Sequence, residues 1–141
     1  PTRRSSDLAD GLERYLMSEI PSNVIEAEDF ATVFDGFSIG SNDLTQLTLG
    51  IDRDSAIIAP LFTEQNKSVK FLIEMVIRKA RAMNRKIGLC GQAPSDIPEF
   101  ASFLVAQGID SISFNPDALL KGIENIKIAE KALAEKQTVS A

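Results

Sequence analysis

A chain of 141 residues, 44% hydrophobic and 25% charged, has the profile of one soluble globular domain or of part of a larger one. The net charge of −5, with no basic run flanked by aromatics, argues against nucleic-acid binding, and no apolar run of about 18 residues is present to span a membrane. Histidine is absent and cysteine occurs once, which excludes Ser-His-Asp and Cys-His catalysis, His-ligated zinc, a phosphohistidine carried by this chain and an internal disulfide framework.

In chain order, Ser5-Ser6-Asp7 is placed to cap a short helix with Leu8 and Leu12 on one face. Tyr15 to Ile20 is predicted to be a strand ending at a carboxylate, Glu19, because Pro21 keeps Ile20 out of the helical region. Ser22 is expected to cap a helix through about Phe34, with Val24, Ile25, Phe30 and Ala31 as its stripe. Gly36 to Gly40 is the second strand, and Leu44 to Leu47 reads as a helical turn. Gly50 to Asp54 is a loop whose charges alternate around Arg53. Ser68 to Asn84 places Val69, Leu72, Ile73, Val76, Ala80 and Met83 at helical period, and Lys86 to Cys90 forms a third strand. Asp96 is expected to cap the next helix, with Pro98 in its first turn and Gly108 at its end. Ile109 to Phe114 is the fourth strand; Asn115-Pro116-Asp117 opens a last helix with Leu119, Leu120, Ile123 and Ile126 buried, and residues 134–141 are expected to fray.

Strand and helix alternate in four βα units, which calls for parallel strands in a barrel or a doubly wound sheet. The glycine-rich dinucleotide fingerprint and the phosphate-binding P-loop are missing, which weakens the doubly wound reading. Four units are half of a (β/α)₈ TIM-type barrel. Glu19, Asn42-Asp43 and Cys90 all fall at the C-terminal ends of predicted strands, the face on which parallel α/β proteins build active sites. Gly40-Ser41-Asn42-Asp43 has two readings: backbone N–H groups and a carboxylate for an anion and its metal, or an ordinary loop in which Asn42 or Asp43 caps a helix. Two carboxylates on neighbouring strands suit Mg²⁺, which takes its other ligands from substrate and water. Cys90 is either a small core residue or a catalyst.

Ser18-Glu19-Ile20-Pro21, Gly36 to Gln46, Asp52-Arg53-Asp54 and Gly88 to Asp96, in this order and spacing, resemble the C-terminal barrel domain of phosphoenolpyruvate-utilising enzymes. The resemblance runs from about Leu16 to the last helix and divides the chain into a poorly matched 1–14 segment, a half-barrel at 15–133 and a 134–141 tail. Gly91-Gln92-Ala93-Pro94 and Ser113-Phe114-Asn115-Pro116-Asp117 are nearer the branch that makes phosphoenolpyruvate, AMP and phosphate from pyruvate, ATP and water than the pyruvate phosphate dikinases or the first enzyme of the sugar phosphotransferase system.

The resemblance implies that Glu19 and Asp43 hold Mg²⁺ and that Gly40, Ser41 and Asn42 bind pyruvate or phosphoenolpyruvate. It also implies that Arg53 stands near the phosphate and that Cys90 delivers or removes the methyl proton of pyruvate. A thiol exchanges its proton close enough to neutrality for that task. The family's ATP-binding and phosphohistidine domains are not in this sequence, so the chain alone is expected to be inactive; four βα units cannot close a barrel, so it is expected to self-associate through unpaired strand edges, and its single cysteine makes a reducing cytoplasm the expected compartment. Two other readings stay open. One is a non-catalytic remnant acting as an interaction or assembly module; the other is a lyase or aldolase on the same barrel, which the Gly-Leu-Cys-Gly-Gln context of Cys90 speaks against.

Overall fold

The computed structural model describes residues 11–52, 55 and 57–139. Strands β1 (Tyr15–Ser18), β2 (Gly36–Gly40), β3 (Lys86–Cys90) and β4 (Ser111–Ile112) form one parallel sheet in the order β1-β2-β3-β4. Helices α1 (Pro21–Ile25) and α2 (Ala27–Phe30) follow β1, and α3 (Ser41–Leu49) and α4 (Lys67–Ala82) follow β2. Helices α5 (Ala93–Asp96) and α6 (Pro98–Gln107) separate β3 from β4, and α7 (Leu119–Val139) comes last. The chain is therefore α/β with parallel strands, as the alternation predicts. Among the described residues β1 pairs only with β2 and β4 only with β3, so the sheet is open.

The register separates two faces. Leu16, Phe37 and Ile87 stand side by side, as do Ile39, Leu89 and Ile112. Phe37, Ile39, Ile87 and Leu89 pack into the core with Val69, Ile73, Val76 and Ile77 of α4 and Phe100 and Leu104 of α6. Each such side chain contributes about 1.5–3 kcal/mol of burial. The spacing of the α4 residues is that of a single helical stripe. Residues of the opposite parity, Tyr15, Met17, Ser38, Gly40, Lys86, Gly88, Cys90 and Ser111, belong to the other face, where Tyr15 and Met17 are exposed. Sequential parallel strands joined by right-handed crossovers put their helices on one side and leave this one uncovered.

Several boundaries differ from the predicted ones. The helix expected from Ser22 starts at Pro21, whose fixed φ suits the first helical position, with Ile20 extended before it. It breaks at Glu26 into two short pieces, and Ile25 is exposed rather than part of the stripe. The carbonyls left free at those helix ends are taken by the neighbouring elements: Lys79 Nζ donates to Ile25 O at 2.5 Å and Arg85 Nε to Ala31 O at 2.9 Å. The α4 cap is Asn66, whose Oδ1 accepts from the Ser68 N–H at 2.8 Å. Asp96 ends α5 instead of capping α6, whose N-cap is Ile97. Gly108 does end α6, in the left-handed region at φ 78°, where a side chain would be strained.

The fourth strand is shorter than Ile109 to Phe114. Backbone hydrogen bonds from Asp110 N to Ile87 O and from Ser113 N to Leu89 O, both 2.9 Å, bound it. At its start the Asp110 carboxylate accepts from the Ile87 N–H and from Lys86 Nζ, each at 2.9 Å. Burial works against the charge on Asp110, but these two donors outweigh it and hold the carboxyl below its ordinary range. In α7 the expected burial of Leu119, Leu120 and Ile123 is overturned, since all three are exposed, while Ile126 is half-buried. The helix turns Gly122 inward instead, because a Cβ there would overlap the Phe114 ring and glycine lets the two approach. It runs on to Val139, past Ala134. Ser5-Ser6-Asp7 and Leu8 lie outside the described residues.

Candidate functional site

Gly40 pairs with Cys90 in the ladder, so the ends of β2 and β3 stand level. Cys90 is half-exposed. The Ser38 hydroxyl donates to its Sγ at 3.4 Å, and Sγ lies 3.6 Å from the Ile39 carbonyl oxygen and 3.7 Å from Met17 Sδ. Glu19 joins from the end of β1. A Cβ on Gly40 would stand 3.0 Å from Glu19 Cβ, 3.1 Å from its Oε2 and 3.4 Å from Met17 Sδ, so the absence of a side chain keeps the space beside that carboxylate open. Glu19, Gly40 and Cys90, far apart in sequence, therefore converge around Met17 at the C-terminal edge of the sheet.

Helix α3 begins at Ser41 with Gly40 as its N-cap and no side-chain cap. The N–H groups of its first turn lack intrahelical partners and carry the positive end of the helix dipole. Asn42 and Asp43 occupy this turn, both half-buried, and neither is the N-cap, contrary to the ordinary-loop reading. Arg53 lies outside the described residues.

Among the described residues no group of three or more His, Cys, Asp or Glu side chains is arranged to hold a metal ion. Mg²⁺ does not need one: one or two carboxylates suffice when substrate and water complete the shell. Glu19 and Asp43 carry the hard oxygen donors that ion takes, and Gly40 leaves the space beside the Glu19 carboxylate clear.

Glu64 was missed by sequence reasoning. It follows the short 3₁₀ turn Ala59–Leu61 in a polar stretch, Thr63-Glu64-Gln65-Asn66, that carries no signal of burial. Yet it is only 7% exposed. Burial pushes its carboxyl upward, more than the Ser41 hydroxyl and the Ala93 backbone lower it, and Asp96 adds to the rise. Ser41 is fully buried; its Oγ and Glu64 Oε1 have no hydrogen-bond partner of good geometry among the described residues. A Cβ on Gly91 would overlap Ser41 Oγ and come within 3.3 Å of Glu64 Oε1. A cavity of about 440 Å³ between α6, β4 and α7, lined by Ile109, Ile112, Ile126 and Leu133, has none of these residues in its wall.

A carboxylate, a thiol and an uncapped helix N-terminus thus share the C-terminal edge of a parallel α/β sheet, the edge on which proteins of this class build their ligand sites. This chain belongs to the family of the PEP-utilising enzyme, PEP-binding domain, whose model matches residues 3–131. Among curated relatives it is 64% identical over 124 residues to the phosphoenolpyruvate synthase of Synechocystis sp. and 60% identical over 124 residues to that of Aquifex aeolicus. It is 53% identical over 112 residues to the phosphoenolpyruvate synthase of Escherichia coli. The alignments cover 88%, 88% and 79% of this chain, but only 15%, 14% and 14% of those relatives. Among the described residues no helix is long and apolar enough to cross a membrane.

Proposed function

We propose that this chain is the pyruvate- and phosphoenolpyruvate-binding half of the barrel in a phosphoenolpyruvate synthase, which makes phosphoenolpyruvate, AMP and phosphate from pyruvate, ATP and water. The observation that carries the reading is the convergence of Glu19, Gly40 and Cys90 beside the uncapped start of α3. The N–H groups of that turn and the Asn42 amide bind the carboxylate and phosphate oxygens of the substrate, with Gly40 and Ser41 letting it approach the backbone. Arg53 serves the phosphate. Cys90 exchanges a proton with C3, its sulfur held by Ser38 and backed by Met17. The enolate oxygen takes its phosphoryl group from a phosphohistidine on another domain, since this sequence has no histidine.

Glu19 and Asp43 would hold Mg²⁺, which supplies electrostatic stabilisation of the enolate when bound. The reading places the domain in the cytoplasm, in gluconeogenic metabolism. It is tested by incubating the complete enzyme with pyruvate and Mg²⁺ in D₂O and following the methyl protons by NMR. Exchange is expected, and its absence would return the cluster to a packing role.

The open edges of β1 and β4, with exposed Tyr15 and Met17 on the uncovered face, support the half-barrel reading. The isolated 141-residue chain should therefore sediment as a dimer or larger species and make no phosphoenolpyruvate. A compact, active monomer would sink the half-barrel proposal.

A further inference from the structure

We propose that Glu64 is a positioning residue of this site: it clamps the first turn of α3 to the end of β3 and so sets where the substrate-binding N–H groups stand relative to Cys90. Its role rests on the pyruvate reading above and adds to that reading a residue from a third segment of the chain. Three pieces of backbone meet at its carboxyl: Ser41 at the head of α3, Gly91 just after β3, and the segment leading into α4. Glu64 and Ser41 are 7% and 0% exposed, and their unpartnered oxygens lie at the same glycine, so a shift of either strand end would be felt by both.

Packing alone does not account for an acid in this place. Burying a carboxyl without full hydrogen bonding is costly, and an apolar side chain of similar volume would fill the space without that penalty. What an acid adds is a polar tip that can engage the Ser41 hydroxyl directly. Ser41 follows Gly40 and Gly91 follows Cys90, and Gly40 and Cys90 are paired in the ladder, so a clamp at Ser41 and Gly91 governs the spacing between helix start and thiol.

The test uses the complete enzyme, with oxalate and Mg²⁺ as the probe in titration calorimetry and pyruvate C3 exchange measured in parallel. Glu64→Ala should raise the oxalate Kd by about tenfold to a hundredfold and lower exchange at saturating pyruvate, the scale of loss expected from small misplacements. Glu64→Gln keeps the shape and an acceptor oxygen for the Ser41 hydroxyl, and should stay within about threefold of the parent in both assays. Gly91→Ala presses on the same contact from the β3 side and should reproduce the Glu64→Ala losses with Glu64 intact, which keeps the test decisive if Glu64→Ala does not fold. Parent-like binding and exchange in folded Glu64→Ala or in Gly91→Ala overturns the role, as does an equal loss in Glu64→Gln. A parent enzyme that neither binds oxalate nor exchanges the proton overturns the pyruvate reading and the role of Glu64 together, and is recognised because it fails without any substitution.

Discussion

Replacing Cys90 by alanine in the complete enzyme is expected to stop exchange of the pyruvate C3 protons with solvent while leaving ATP-dependent phosphorylation of the histidine domain largely intact. The fall should be about 10² to 10⁴-fold, the usual contribution of a positioned acid or base. Two features of the structure make this separation sharp. The thiol is half-exposed on the uncovered face of the sheet, and its neighbours, Ser38, Met17 and the Ile39 carbonyl, keep their own places in β1 and β2 when the sulfur is removed. Little of the hydrophobic core depends on it, so a loss of exchange would report chemistry and not unfolding. Exchange at the parent rate in Cys90→Ala would remove the thiol from the reaction.

A second large effect is expected at the carboxylates. Glu19→Gln and Asp43→Asn each exchange an anionic oxygen for a neutral amide of the same shape, and each should weaken Mg²⁺-dependent binding of phosphoenolpyruvate or oxalate by about tenfold or more, roughly 1.4 kcal/mol. Titration calorimetry with and without Mg²⁺ separates this from a general loss of binding: the metal-dependent part should shrink and any metal-independent part should stay. Gly40→Ala is a useful companion, because its Cβ would come 3.1 Å from Glu19 Oε2 and crowd the carboxylate without changing its charge. Unchanged metal dependence in both amide variants would assign Glu19 and Asp43 to ordinary strand-end and helix-turn roles.

How much of this was legible in the residues varies from element to element. The bounds of β2 and β3 coincide with the predicted strands because both are short apolar runs set off by glycine and polar residues on either side. The end of α6 was legible because only glycine takes the left-handed conformation of Gly108 without strain. The start of α3 was only partly so. Gly40 to Asp43 reads equally well as a loop, and the helix begins at Ser41 because Gly40 itself serves as the N-cap. The buried face of α7 was misread, since a stripe of Leu and Ile predicts burial only where something stands opposite. Here the Phe114 ring meets the helix at Gly122.

The sequence by itself determined the α/β alternation and the placing of Glu19 and Cys90 at strand ends, with Asp43 in the helical turn that follows one, because period and punctuation are local and parallel strands all finish on one edge. Tertiary structure alone decided the strand order and the register that levels Gly40 with Cys90. It also decided the approach of Met17 to a sulfur 73 residues away and the burial of Glu64. These depend on which surfaces meet after the chain has crossed over three times. A polar residue in a polar loop carries no local mark of the neighbours that will close over it, and it is the fold that brings Glu64 together with Ser41 and Gly91.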